Sequence, residues 1–520
     1  MKKKLFISIV IAAGLIAAFF LLMAYSERFQ VSFISPQDST SVFSDFTLSM
    51  FITPSDLNEA DIYIDGSLYK TYDKDSIRSI DISGSKLWSI PVTMDTFPSG
   101  GHLIQIYFKG GFFTKNISKK LFINYYKLHS NPTKPSDTDL KNVQDFLADK
   151  IQDLFIKLNN TRYSKEKWQK DIEYTLTKKE VYAANVPGNI RERAFKIVNS
   201  IEDGKSFERV SSAVNELNYD LQEEGYPFIA VLIDNVNESN YRTTLLLTYK
   251  ISEVYPVTES GTTINTFVMK RMDRLNVQEL FNGAVQENSP YAYVLEDQAE
   301  INAKDISRIL TGSDIDAEKS IKKKTNGNVS ADDMNEIKNQ IRSEVRSYPA
   351  KNDAPYDISV QDIAIHESRH ALDFRLGNRL SKSVVELLSH IYNKPPVENK
   401  SENMQNIKTA FETLLQINPE FSALLYTLAK NEGNRKYSLL KLYDYISDPY
   451  YDSSPYFWAA KLIFARLDEQ SGNSFHQNII YEPFAPNKKE WSQVFINLMR
   501  LEPDKLGKLA DEVYTKEFGI

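Results

Sequence analysis

Hydrophobic and polar positions alternate one by one near the start of the chain and recur at helical spacing through most of the rest. Phe46, Leu48, Met50 and Ile52 recur at every second position, as do Ile62 with Ile64 and Ile104 with Ile106 and Phe108. That is the period of a strand with one buried face. Asp65-Gly66, Ser99-Gly100-Gly101 and Gly110-Gly111 punctuate these runs as turns. Residues 31–127 are therefore expected to form an antiparallel β domain, and 128–139, with Pro132 and Pro135, a polar linker. Val143, Phe146, Leu147, Ile151, Leu154, Phe155 and Leu158 then make a helical stripe. Helical pattern continues to about Glu224, and 228–233, 241–254 and 262–272 read as a three-stranded meander. The lysine-rich stretch 311–328 reads as an exposed loop. Beyond Pro396 the pattern is helical to the end, in segments near 402–416, 419–431, 435–447, 455–470 and 488–517.

Met1-Lys2-Lys3-Lys4 followed by an apolar run from Leu5 to Met23 predicts a transmembrane signal anchor over 1–26. A cleaved signal peptide is the alternative. Either places the bulk of the chain outside the cytoplasm, because the lysines stay inside. The 520 residues suffice for three or so domains, and the net charge of −7 gives no reason to expect a nucleic-acid partner. Cysteine is absent, which excludes disulfides, thiol nucleophiles and Cys-ligated zinc. Histidines and carboxylates remain as plausible metal ligands.

Of six histidines, three lie between Asp357 and His390, two of them in His366-Glu367-Ser368-Arg369-His370. This is an HExxH pattern. Histidines four apart share one helical face and can reach one metal ion, and the intervening glutamate can take a proton from water. Asp357 and Ser359 are candidate N-caps for this helix, and Gly377-Asn378 a candidate stop. Asp373, three residues after His370 on the same face, is expected either to orient a ligand or its neighbour, or to sit as a surface carboxylate. Residues 381–392 predict a second helix, packed antiparallel on the first across a short turn.

Glu386-Leu387-Leu388-Ser389 in that second helix, together with HExxH, resembles the gluzincin class of zinc metallopeptidases, the thermolysin-like arrangement. There a glutamate within E-x-x-S or E-x-x-A completes the zinc site. The resemblance implies His366, His370 and Glu386 as Zn2+ ligands and Glu367 as general base. It also implies a downstream oxyanion donor, for which His476 and Tyr456 are candidates, with Tyr450-Tyr451 behind them. His390, one turn after Glu386, is expected as a donor to a ligand or as a competing third ligand. Farther upstream, Ile34-Ser35-Pro36, Ile62-Tyr63-Ile64-Asp65-Gly66 and Pro98-Ser99-Gly100-Gly101-His102 resemble bacterial immunoglobulin-like modules. His102 is expected there as a strand residue without a catalytic role.

The expected architecture is multi-domain: an all-β immunoglobulin-like sandwich (31–127), then an α+β, mostly helical zincin-like region. The latter divides into 140–345, with the helices and meander, and 346–520, with the zinc helices and a helical subdomain. The expected function is that of a membrane-anchored, extracytoplasmic zinc metallopeptidase acting on protein or peptide substrates. Its rivals are a non-catalytic envelope scaffold or adhesin on a zincin-like fold, and a zinc hydrolase of other bonds.

Overall fold

The computed structural model describes residues 30–518 except 37, 44, 54–56, 74–77, 83–84, 111–116, 128–133, 164–166, 237–241, 260–261, 274–282, 285–290, 350–352, 377–379, 393–399 and 473–487. The expected membrane segment 1–26 and His476 lie outside the described residues. Among the described residues, no helix is long and apolar enough to cross a membrane. The chain divides into two compact units: Met1–Lys127 with Arg375–Gly377, and Leu128–Phe374 with Asn378–Ile520.

The first unit is built from two sheets. One has β1 (Gln30–Ser35), β3 (Phe46–Thr53), β7 (Ser85–Val92) and β6 (Arg78–Ile82) in that order. The other runs β2 (Thr40–Val42), β9 (Ile117–Tyr125), β8 (Gly100–Gly110), β4 (Leu57–Ile64), β5 (Ser67–Asp73), with β2 parallel to β9. Alternation decides which face is buried. Leu48, Met50 and Ile52 from one sheet, and Ile62, Ile104, Ile106 and Phe108 from the other, are wholly inaccessible and share one core. The Trp88 and Phe108 rings, 5.9 Å apart, join the two sheets.

Asp65 and Gly66 close the β4–β5 hairpin with φ of 51° and 82°, the left-handed pair that a two-residue turn of type I′ requires. His102 is buried under this turn, with Nδ1 2.7 Å from Asp65 Oδ2 and Nε2 2.8 Å from the Pro98 carbonyl. It ties a turn to a strand.

The second unit opens with α1 (Asp137–Asp145), capped by Ser136, whose Oγ accepts the Asp139 N–H. A π-helical turn (Phe146–Lys150) leads into α2 (Ile151–Tyr163), followed by α3 (Lys167–Tyr182), α4 (Gly188–Glu202) and α5 (Phe207–Glu223). These helices share a core with Phe228, Ala230, Leu232 and Leu246 of the adjoining sheet. That sheet is larger than the meander the pattern suggests. Its order is β10 (Phe228–Val236), β11 (Arg242–Glu259), β12 (Thr262–Arg271), β14 (Tyr291–Leu295), β13 (Gly283–Ala284), with β14 parallel to β12.

Helices follow: α6 (Glu296–Leu310), α7 (Asp314–Lys324), α8 (Ala331–Arg346), α9 (Ala354–Leu376), α10 (Lys382–Tyr392) and α11 (Lys400–Lys430). After α12 (Arg435–Ser447) and a 3-10 turn (Pro449–Tyr451) come α13 (Pro455–Gln470), α14 (Lys488–Met499) and α15 (Pro503–Phe518). Two expectations change here. The stretch 311–328 is no open loop: Ser313 caps α7 by accepting the Asp316 N–H, and Ala317 and Ile321 are buried. Lys322, Lys323 and Lys324 occupy the last turn, where positive charge suits the helix dipole. Residues 402–416 and 419–431 form one helix rather than two, with Pro419 inside it.

Candidate metal centre

Helix α9 carries the HExxH residues and is buried on nearly every side. Val360, Ile363 and Ala364 pack on Val268 and Val294 of the sheet and on Ala299 of α6. The Ser368 and Thr266 hydroxyls, both fully buried, lie 2.5 Å apart and lock the helix to β12. Arg369, only 1% exposed, donates from Nη1 to Glu259 Oε2 at 2.6 Å and binds Asp373 through Nε and Nη2. Its guanidinium carbon lies 5.4 Å from the ring centres of both Tyr426 and Tyr514. The residues between the two histidines therefore fix the helix's rotation, and with it the direction of both imidazoles.

His366 Nε2 and His370 Nε2 lie 3.1 Å apart. Glu420 of α11 completes the group, with Oε2 3.4 Å from His366 Nε2 and Oε1 3.8 Å from His370 Nε2. Among the described residues these three form the group of histidine and acidic side chains able to hold a metal ion, with ligand atoms all within 4.8 Å of one another. Tetrahedral zinc with bonds of about 2.0–2.1 Å holds its ligand atoms about 3.3 Å apart, so the spacing fits. Glu420 Oε2 is buried, and among the described residues it has no hydrogen bond of good geometry, only the His366 Nε2 at 3.4 Å. A buried carboxylate oxygen left that way is costly unless a cation meets it.

The electrostatics agree. Burial pushes the Glu420 carboxyl up, but the two imidazoles and the Tyr456 hydroxyl outweigh it and hold it below the ordinary carboxylate range. Burial lowers His370 to about 4, which leaves its imidazole neutral and free to ligate. For His366 burial acts in the same direction, yet Glu420 and Glu367 raise it overall. Burial, with Glu420 adding to it and His366 opposing, pushes the Glu367 carboxyl up to about 7. A group titrating there suits proton transfer at neutral pH.

Glu386 is not part of this group. Helix α10 packs on α11 and α15, not along α9 as the expected antiparallel hairpin. Its start is pinned by Glu517 of α15, which accepts from the Ser381 hydroxyl at 2.7 Å and the Ser383 hydroxyl at 2.6 Å. That leaves the Glu386 side chain 61% exposed and paired with Arg466 Nη2 at 3.0 Å. His390 sits exposed on the same helix, likewise outside the ligand group. Asp373 holds Arg369, the neighbour of His370, instead of touching a ligand atom itself.

Tyr456 is brought to the site, its hydroxyl beside the Glu420 carboxylate. A cavity of about 700 Å³ opens beside it, lined by His366, Glu367 and Tyr456 and by Tyr445, Tyr450 and Tyr451. Glu420 carried a signal in the sequence: Glu420-Phe421-Ser422-Ala423 is itself E-x-x-A.

No protein-family model matches the chain, and no curated protein matches it. Among solved structures, an endo-beta-1,4-mannanase from Thermotoga petrophila aligns over 19% of this chain and 20% of its own, at 11% identity and a TM-score of 0.16. A likeness of that size carries no argument about fold or function.

Proposed function

We propose that this chain is a zinc metallopeptidase with His366, His370 and Glu420 as metal ligands and Glu367 as general base. The observation that carries the reading is the convergence of two imidazole nitrogens and a buried carboxylate at zinc-ligand spacing, beside a buried glutamate and a cavity. Zinc, when bound, supplies Lewis acidity toward a carbonyl and makes water more acidic. Glu367 takes the proton of the attacking water on its carboxylate and delivers it to the leaving amine. The Tyr456 hydroxyl orients Glu420 and stands at the cavity wall, within reach of a bound substrate's polar groups. Cavity and base together favour an enzyme over an inert scaffold, which has no need of either.

The wider reading includes a zincin-like fold for the second unit and an immunoglobulin-like module for the first. Support for the latter is the strand order, β1-β3-β7-β6 against β9-β8-β4-β5 with β2 parallel to β9. That is A-B-E-D against G-F-C-C′ with a short added strand. Residues 1–26 would anchor the protein in the membrane with both units outside the cytoplasm.

Zinc analysis of purified variants, paired with mass-spectrometric detection of peptide-library cleavage, tests the site. Wild type is expected to hold one zinc per chain and to cleave peptide bonds. Glu420→Ala should lose zinc, Glu386→Ala should keep it, and Glu367→Gln should keep it while cleavage drops by about two to four orders of magnitude, the usual worth of a general base. Zinc retained by Glu420→Ala at undiminished affinity, or Glu367→Gln cleaving at the wild-type rate, overturns the assignment.

A further inference from the structure

The cavity that meets the metal centre has a second polar feature that metal chemistry does not use. Lys441 of α12 lines it, together with Asp362 of α9 and Ser438. Its Nζ donates to Asp362 Oδ2 at 2.8 Å. Asp362 Oδ1 takes the Asn431 amide at 2.9 Å and the Ser438 hydroxyl at 2.8 Å. The carboxylate is thus satisfied by three donors, two of them neutral. An ammonium has three donors of its own, and among the described residues one of them is used. The side chain remains 22% exposed, on the wall of a cavity. Burial opposes its charge, but Asp362 outweighs that and keeps it protonated.

Position gives this ammonium a meaning. Asp362 precedes His366 by one helical turn, about 6 Å along the axis. Thr427, which lines the same cavity, lies seven residues beyond Glu420, about 10 Å along α11. The cavity therefore runs from the metal ligands along both helices, with Lys441 one to two turns from the ligands. An extended peptide advances about 3.3–3.6 Å per residue. That distance corresponds to about two or three residues beyond a bond placed at the metal.

We propose that Lys441 anchors a substrate carboxylate two or three residues from the bond that is cut, so that the site prefers peptides carrying a negative charge there. The inference rests on the peptidase reading. The carboxylate has two sources, a free C-terminus or an Asp or Glu side chain, and they bind by the same chemistry. A C-terminal carboxylate makes the enzyme one that trims peptide ends.

The test uses the full zinc-loaded chain and short peptide hydroxamates, in which the hydroxamate occupies the metal whatever the far end carries. Three probes differ only at that end: a free C-terminal carboxylate, a C-terminal carboxamide, and a carboxamide preceded by Asp. Calorimetry should show the terminal-carboxylate or the Asp probe binding ~10- to 100-fold more tightly than the plain amide, the worth of one charge-assisted hydrogen bond. Which of the two gains identifies the source. In the double variant Asp362→Asn/Lys441→Met, which leaves no buried charge alone, the preference should vanish at unchanged zinc content. Lys441→Arg should retain a preference for the carboxylate. Equal binding of carboxylate and amide by wild type, or a preference that survives in the double variant, overturns the role of Lys441 and leaves the metal site standing. If no hydroxamate binds, the peptidase reading fails, and this inference with it.

Discussion

Loss of Arg369 should damage the second unit while leaving His366, His370 and Glu420 in place. Arg369 joins four elements: it sits on α9, bonds Glu259 at the end of β11, and stacks near Tyr426 of α11 and Tyr514 of α15. Arg369→Met keeps much of the volume and removes the cation. Asp373, 3% exposed and among the described residues already short of a partner at Oδ2, is then left charged in the interior. Glu259, 14% exposed in its side chain, also loses its ion-pair partner. Breaking a buried pair from one side costs about 3–5 kcal/mol, and the two ring contacts add about 0.5–1 kcal/mol each at the low end. With a urea m-value on the order of 3 kcal/mol/M, as for a unit larger than a small domain, the midpoint falls by roughly 1 M or more. Tryptophan fluorescence reads it, since Trp458 and Trp491 are buried in this unit. The triple variant Arg369→Met/Asp373→Leu/Glu259→Gln should recover most of the loss, because no uncompensated charge remains. A loss below about 1 kcal/mol for the single variant, the range of a solvated surface pair, would refute the reasoning.

Two further expectations concern acid and topology. In the first unit, burial raises the Asp65 carboxyl but the Leu103 N–H and His102 outweigh it, so its pKa falls below the ordinary 3.8, as does that of Asp61 under Lys109 and Thr71. A depressed carboxyl binds fewer protons folded than unfolded, so its stabilisation is present above about pH 4 and is lost as pH falls through the folded value. Acid titration followed by circular dichroism should show a shallower decline for Asp65→Asn, and an unchanged slope would contradict the sign. For topology, protease added to intact cells, with any outer membrane permeabilised, should digest both units while a cytosolic marker survives. Protection equal to that marker would remove the anchor reading.

Much of the fold is written in short-range pattern. Strict alternation in 46–52 and 104–108 marks strands because each buries one face completely, and the left-handed Asp65-Gly66 turn follows from residue type alone. What pattern misses is set by distant partners. Helix α7 looks like a loop because its lysines hide two buried positions, Ala317 and Ile321, whose cover comes from other helices. Strand β14 joins the sheet in parallel across an intervening stretch of chain, a pairing that local sequence does not announce.

The site divides along the same line. His366, Glu367 and His370 lie within one helical turn, so their convergence follows from helix geometry and is readable from spacing. The third member of the group comes from another helix, and two segments carry the same local pattern: Glu386 with Ser389, and Glu420 with Ala423. The first follows the histidines closely in sequence, whereas the second lies 50 residues beyond His370 and directly after Pro419, a residue type that commonly marks a helix boundary. Proline removes one backbone hydrogen bond at a cost of about 3 kcal/mol or more when it stands inside a helix. In α11 that cost is offset by burial: Ile417, Phe421, Ala423, Leu425 and Leu428 are all wholly inaccessible. Continuity through Pro419 carries Glu420 to the histidines. Meanwhile Glu517, from the far end of the chain, accepts from both Ser381 and Ser383 and directs α10 away from them. The choice between the two glutamates is therefore made by a carboxylate more than a hundred positions downstream and by the packing around a proline, neither of which any local motif contains.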